Sequence, residues 1–315
     1  MIILIGGSGF IGSYLATKFQ QHKISFKILD LKINPKFADF TKKVDITDKS
    51  TLIEHIPMNA TIINLAAAHR DDEKIEDYYL VNEQGAKNIC DVAKLKNSKK
   101  IIFFSSVAVY GKAKPFADEL TSSNPYNYYG KSKKAAEDIY INWMNLLKDN
   151  QLTIIRPTVV FGKFNRGNVY NLISQIYKGP FFMVGDGKNI KSLAYVENLV
   201  GFTLYLLSCN KKYSLHNYVD EPQITLKELV IFIREQFGIK TKLIYIPHIV
   251  AFLVAGIFDF FSIILNRKFR ISKIRVQKFL INSSYAANLL GYKPKYTLKE
   301  ALKKTILEEF NKWKN

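Results

Sequence analysis

The chain is poor in cysteine, with Cys90 and Cys209 as its only two among 315 residues. They lie far apart without ligand spacing. That excludes a disulfide framework and a zinc site, and it fits a reducing compartment. Acidic residues are scarce too: 27 Asp and Glu face 46 Lys and Arg, for a net charge of +19. Of those basic residues 39 are Lys, the composition of a solvated surface or of one that attracts an anionic small molecule or membrane. No nucleic-acid motif accompanies the charge, and no aromatic stripe is interleaved with it, so nucleic acid is excluded as a partner. The apolar opening Met1–Ile5 lacks a preceding positive charge and runs straight into glycines. It is too short for a signal sequence, and it predicts a buried first strand in a cytoplasmic protein.

What is present is a β-α-β alternation. Candidate strands are Ile2–Ile5, Phe26–Leu29, Thr61–Leu65, Lys100–Ser105 and Thr153–Arg156. Amphipathic stretches lie between them near Gly12–Gln21, Tyr78–Leu95 and Gly130–Leu147. Nearly continuous apolar strands of this kind predict a parallel sheet covered on both faces. The fold class is therefore α/β, a Rossmann-type doubly wound sheet over residues 1–160, with later segments returning to it. A smaller substrate-binding α/β region takes most of 161–315. Its punctuation is Gly179-Pro180 and Gly185-Asp186-Gly187, and its helices are near Thr225–Phe237 and Leu298–Asn311. No repeat or low-complexity linker separates the halves, so the expected active site lies in the cleft between them.

Gly6-Gly7-Ser8-Gly9-Phe10-Ile11-Gly12 follows the first strand and opens a helix. Small residues there allow a tight turn and close approach of backbone to a pyrophosphate, and the helix N-terminus supplies amides and positive dipole. Asp30 ends the second strand, 18 residues after Gly12. A carboxylate at that point accepts from a ribose 2′-hydroxyl and repels a 2′-phosphate, which favours NAD over NADP; Lys32 argues mildly the other way. Asn64-Leu65-Ala66-Ala67-Ala68 puts small side chains at a strand's carboxyl end, where a ligand can lie against backbone.

Tyr129 and Lys133 stand four apart, which on a helix puts phenol and ammonium on one face. A fixed cation there favours the phenolate and is expected to lower the tyrosine pKa from about 10, for proton transfer near neutral pH.

Taken in order, the glycine pattern, Asp30, Asp45-Ile46, Asn64-Leu65-Ala66-Ala67, Asn82-x-x-Gly85, Ser105-Ser106-x-x-Val109-Tyr110-Gly111, Tyr129-x-x-x-Lys133 and Arg156-Pro157 form a specific set. The set resembles an extended short-chain dehydrogenase/reductase of the nucleotide-sugar epimerase/dehydratase group. The resemblance spans the chain, through Gly185-Asp186-Gly187, Tyr195-Val196-Glu197-Asn198 and Leu290-Gly291-Tyr292-x-Pro294. It implies a catalytic Ser106 that hydrogen-bonds the reacting oxygen, Tyr129 as acid/base, and Lys133 holding the nicotinamide ribose. It further implies NAD contacts from Gly6, Gly9, Phe10, Ile11, Gly12, Asp30, Asp45, Ile46, Leu65, Ala66, Ala67, Asn82 and Thr158. Asn168 and Lys191 are candidate contacts to a nucleotide-sugar substrate, and a homodimer is the expected assembly. Two departures stand out: Val159 where the family often has Asn, and Lys191 where it often has Arg, so a point charge replaces a bidentate fork.

The resemblance also narrows the reaction. Dehydratases of the group carry Asp-Glu directly after the catalytic hydroxyl residue, and decarboxylases keep an acid in that segment. Here the two positions are Val107 and Ala108. The leading reading is an NAD-dependent 4-epimerase of a nucleotide-activated sugar, a UDP-sugar first, that passes through a 4-keto intermediate. A 4-ketoreductase, a hydroxysteroid-dehydrogenase-like oxidoreductase and a non-catalytic dinucleotide sensor are the alternatives.

Residues 244–265 are apolar but broken by Pro247, His248 and Asp259, which falls short of the about 20 apolar residues a span needs. The stretch reads as a helix packed on the substrate region or a partner subunit, or as one lying on a membrane surface. From Arg267 to Asn315 there are 13 Lys and Arg against three Glu, a local charge of +10 beside it.

Overall fold

The computed structural model describes residues 1–70, 73–112, 114–264, 276–277 and 280–310. The strands are β1 (Ile2–Ile5), β2 (Phe26–Asp30), β3 (Thr41–Lys43), β4 (Thr61–Asn64), β5 (Lys100–Phe104), β6 (Gln151–Pro157), β7 (Val159–Phe161), β8 (Phe182–Val184), β9 (Ile190–Lys191), β10 (Leu193–Tyr195), β11 (Tyr213–Tyr218), β12 (Ile224–Thr225) and β13 (Ile244–Ile246). The helices are α1 (Phe10–Gln21), α2 (Lys49–His55), α3 (Ile75–Asp77), α4 (Gly85–Leu95), α5 (Tyr128–Leu146), α6 (Asn168–Lys178), α7 (Val196–Ser208), α8 (Leu226–Gln236), α9 (His248–Ile264) and α10 (Leu298–Phe310). The chain divides into two compact units. The first holds residues 1–160, 194–219 and 285–295, and the second 161–193, 220–284 and 296–315.

In the first unit seven strands form one sheet in the order β11-β6-β5-β4-β1-β2-β3, and every pairing in it is parallel. The strands are apolar throughout because both faces are covered. Ile3, Leu4, Ile62, Ile63, Ile101, Ile102, Ile154 and Ile155 are all fully buried. One face packs on α2, α4 and α5 through Leu52, Ile89, Val92, Ala136, Tyr140 and Trp143. Each such large side chain removed from water stabilises the fold by roughly 1.5–3 kcal/mol. The strand order reverses between β1 and β4. A ligand crevice belongs at that switch, outside the carboxyl ends of the strands.

The sheet is the one the apolar runs predict, extended at both margins. β3 is short and precedes Asp45, and β11 closes the β6 edge from far along the chain. The stretch Tyr78–Leu95, expected as one helix, is a π-helical turn over Tyr78–Gln84 that runs into α4.

In the second unit α6, α8 and α10 share an aromatic cluster of Tyr170, Tyr177, Phe237 and Phe310. Thr225 and Glu228 form a reciprocal capping box that starts α8. The apolar stretch from Ile244 is not one helix. Ile244–Ile246 is a strand paired with β8, and Pro247 separates it from α9. β-branched residues alternating around Tyr245 favour that extended start. Leu265, the end of the expected Leu298–Asn311 helix at Asn311, and eight of the 13 Lys and Arg from Arg267 onward lie outside the described residues.

Candidate active site

The glycine turn sits at the end of β1, at the switch point. Gly6 adopts φ +73, and a Cβ there would lie 2.5 Å from the Ala66 nitrogen and 2.9 Å from the Leu65 carbonyl carbon. Only glycine lets this backbone press onto the backbone leaving β4. Leu65 is held there by its amide donating to the Ile5 carbonyl, and Ala66 by donating to the Asn64 side chain. Ala67 follows in the same half-buried run. Gly9 is the N-cap of α1 and offers no capping side chain, and no acidic residue stands in the first turn. The amides of Phe10, Ile11 and Gly12 therefore form an uncapped, positively polarised end. Asp30 ends β2 with one carboxylate oxygen accepting from the Ser8 amide at 3.0 Å and the other from the Lys32 amide at 3.0 Å. Its carboxylate is thus fixed to the glycine turn itself. This cradle fits a dinucleotide: backbone amides for a pyrophosphate, and an anchored carboxylate for a ribose hydroxyl.

The sequence-predicted cofactor residues further along share this unit, with different degrees of freedom. Asp45 turns its carboxylate to the Thr47 amide and hydroxyl, and Ile46 is buried against Gly85. Asn82 is fully committed to the protein. Its oxygen accepts from the Ala68 amide, and its nitrogen donates to the Ala68 carbonyl and the Ser132 hydroxyl, each at 2.9 Å. It clamps the strand-end loop to α5. The Thr158 hydroxyl donates to the Tyr218 carbonyl and is likewise buried. For both residues the sequence located the position, and the structure gives the side chain a bracing task.

Ser106, Tyr129 and Lys133 come together at the carboxyl end of β5. Ser106 caps the turn Val107–Tyr110, its hydroxyl accepting from the Ala108 amide at 3.2 Å. Asn127 caps α5 by accepting from the Gly130 amide at 2.7 Å, which sets Tyr129 in the first helical turn. Gly130 lets that turn approach the Ser106 turn, since a Cβ there would lie 2.5 Å from the Ala108 carbonyl oxygen. The Ser106 hydroxyl faces the Tyr129 phenol and acts to lower its pKa. Lys133 is almost completely buried. Its ammonium donates to the Phe104 carbonyl at 2.5 Å and lies 4.2 Å from the centre of the Phe103 ring.

The electrostatics correct one expectation. Tyr129 is not acidified in the chain by itself; burial pushes its phenol up to about 12, with the Ser106 hydroxyl opposing that and Glu73 and Tyr78 adding to it. Burial also pulls the Lys133 ammonium down to about 7, with the Glu137 carboxylate opposing. Desolvation outweighs the cation because both groups sit in low dielectric and Lys133 is turned to a carbonyl. The couple rests with the proton on the tyrosine.

Sequence reasoning missed Tyr78, whose ring centre lies 6.4 Å from that of Tyr129, and Glu73. Neither stands at a motif spacing, and only the fold brings them to the phenol. The remaining candidates, Asn168 and Lys191, lie in the second unit. Asn168 is the exposed first residue of α6, behind an N-cap glycine without a side-chain cap. The Lys191 ammonium donates to the Ile281 carbonyl at 2.6 Å, and burial lowers it to about 8.

A sequence model described as "NAD dependent epimerase/dehydratase family" matches residues 2–218. The chain belongs to that family. It is an enzyme of the NAD-dependent epimerase/dehydratase group. Among its relatives, the N-acetyl-α-D-glucosaminyl-diphospho-ditrans,octacis-undecaprenol 4-epimerase of Escherichia coli O157:H7 is 39% identical over 316 residues, covering 98% of this chain and 95% of the relative. A putative UDP-glucose 4-epimerase of Methanocaldococcus jannaschii is 30% identical over 265 residues, covering 78% and 85%. The fold is that of the UDP-glucose 4-epimerase of Thermotoga maritima, with a TM-score of 0.76 at 19% identity, covering 98% of this chain and 97% of the other.

Proposed function

We propose that this family member is a 4-epimerase of a diphosphate-activated sugar, with Ser106, Tyr129 and Lys133 as its catalytic residues. The observation that carries the reading is the Ser106 hydroxyl facing the Tyr129 phenol, on the helix that carries a buried Lys133, in the unit that holds the dinucleotide cradle. NAD, when bound, supplies the acceptor and later the donor of the C4 hydride. Tyr129 takes the proton of the sugar 4-hydroxyl and returns it after the keto sugar has presented its other face. Ser106 donates to the sugar oxygen throughout. Lys133 in its charged form holds the cofactor ribose and favours the phenolate. Val107 and Ala108 leave no acid beside Ser106 to expel a C5-adjacent hydroxyl, which argues against dehydration. In the second unit Asn168 and Lys191 are the substrate contacts of this reading.

The test uses purified protein with no added cofactor. UDP-N-acetylglucosamine and polyprenyl-diphosphate-linked N-acetylglucosamine are supplied separately, and the 4-epimers are resolved by chromatography. Epimer formation on either supports the reading. Oxidation of added NADH by a 4-keto sugar, with no epimer formed, refutes it in favour of a ketoreductase.

A lipid-linked carrier is the finer reading. α9 exposes Ile249, Val250, Leu253, Val254 and Ile257, at 63, 45, 67, 41 and 56%, as one apolar stripe. Their spacing is that of a single helix face. Among the described residues no helix is long and apolar enough to cross a membrane. A stripe of this kind suits peripheral contact with an anionic bilayer, next to the basic run from Arg267 in the sequence. The relative that acts on an undecaprenol-linked sugar supports the same carrier. Flotation with anionic liposomes at low salt tests it. Protein left in solution, and found by light scattering as a homodimer that Leu253→Asp dissociates, assigns the stripe to a subunit interface instead.

A further inference from the structure

Beneath the catalytic residues lies an ion pair that the proposed chemistry does not use. Glu137 and Arg156 are 1% and 5% exposed. The Arg156 Nε donates to Glu137 Oε1 at 2.8 Å and its Nη2 to Oε2 at 2.5 Å, a bidentate fork. The guanidinium also lies 4.8 Å from the centre of the Tyr110 ring and reaches the Ser123 hydroxyl at 3.4 Å. Each of these partners belongs to a different catalytic segment. Tyr110 ends the turn that Ser106 begins. Ser123 lies on the approach to α5, shortly before Tyr129. Glu137 sits on α5 one turn beyond Lys133, on the face that carries Tyr129 and Lys133.

We propose that the Glu137–Arg156 pair is a positioning element: it locks the Ser106 turn, the approach loop and α5 in register and fixes a carboxylate one helical turn below Lys133. The proposal goes beyond the epimerase reading and rests on it only for calling Lys133 catalytic. A buried pair of this kind gives the fold little net stability, because desolvation offsets most of the attraction. Its placement makes sense as a fixed charge. Around Lys133, β5 contributes the Phe103 ring and the Phe104 carbonyl and α5 contributes Glu137, behind which β6 contributes Arg156, paired with that carboxylate. Tyr110 is turned to Asn217, and Tyr140 to Asn64. Glu137 is therefore the carboxylate whose attraction opposes the desolvation of the buried lysine, and the Arg156 fork holds that carboxylate still.

The test titrates Lys133 directly. Protein labelled with 13C at lysine Cε gives a Lys133 resonance, assigned by its loss in Lys133→Met, whose pH midpoint needs neither cofactor nor substrate. In Glu137→Gln the midpoint is expected to fall by about one pH unit, the usual size for loss of an opposite charge at this range. Epimerisation should then lose more activity at pH 8 than at pH 6.5. Should the orphaned guanidinium unfold that variant, Glu137→Gln with Arg156→Met removes both charges at similar volume, and a smaller fall in the same direction is expected, because the more distant Arg156 cation no longer repels Lys133. A folded variant with an unmoved midpoint overturns the proposal. A shifted midpoint in a protein that epimerises no sugar upholds the pair's control of Lys133 and sinks the epimerase reading instead.

Discussion

Replacing Gly6 by alanine separates two costs that the glycine turn combines, when three glycines are compared. Gly179 is extended, with open space where a Cβ would go, so Gly179→Ala should change stability by no more than about 0.5 kcal/mol. Gly238, just past α8, has φ +68 and equally open space. Its alanine variant meets only the left-handed backbone penalty, about 1 kcal/mol. Gly6 has φ +73 and a Cβ position 2.5 Å from backbone that cannot swing aside. Gly6→Ala adds overpacking strain of about 1–3 kcal/mol to the same penalty, for about 2–4 kcal/mol in all. For a chain this long that lowers Tm by about 3–6 °C, readable by differential scanning fluorimetry. The strain also pushes the amides of the turn off the Leu65–Ala66 backbone, so calorimetric titration should show at least a tenfold loss of NAD affinity, about 1.4 kcal/mol. Should Gly6→Ala melt and bind NAD as Gly179→Ala does, the cradle argument is wrong.

Tyr129→Phe should lower turnover by about 10²–10⁴-fold while leaving calorimetric NAD affinity within a factor of about three; a full-rate variant would remove the tyrosine from the chemistry. Ser106→Ala should cost less, about a hundredfold in kcat, with the same assay. Lys133→Met should raise Tm most at low pH. An ordinary lysine stays protonated to about 10.5, whereas this one, when folded, loses its proton near 7. Below pH 7 both states carry the proton and burial of the charge is fully destabilising; between pH 7 and about 10 the unfolded chain holds more protons, so the wild type gains stability and the variant's advantage shrinks. A constant Tm difference from pH 6 to 10 would contradict the buried-ammonium picture. Leu253→Asp with Ile257→Asp should abolish liposome flotation without lowering kcat on a water-soluble sugar nucleotide.

The parallel sheet was legible because its strands are apolar on both faces and its turns carry glycine at the switch point. The Ser106–Tyr129–Lys133 couple was legible because motif spacing survives folding: i and i+4 share a helix face wherever the helix goes. The direction of the tyrosine shift was not, because spacing shows a neighbouring charge while burial decides its weight. Glu137 and Arg156 escaped for a related reason. They lie 19 residues apart on a helix and a strand, and nothing local pairs them. The bracing hydrogen bonds of Asn82 and Thr158 were not legible either, because a motif position does not show which polar atoms the fold engages. β11 was missed because Tyr213–Tyr218 is a mixed polar run whose value as a strand comes only from an available edge at β6.

The position of β11 has a consequence for biosynthesis. The sheet that carries the glycine cradle ends on residues 213–218, and its unit is completed only by 285–295. A ribosome that has released the first 160 residues has therefore exposed every catalytic side chain and an open β6 margin together. Until residues 213–218 emerge, that margin is a template for strands of neighbouring nascent chains. Fragments ending at Val160 are accordingly expected to precipitate, whereas a circular permutant that keeps 194–219 with the sheet should remain dispersed.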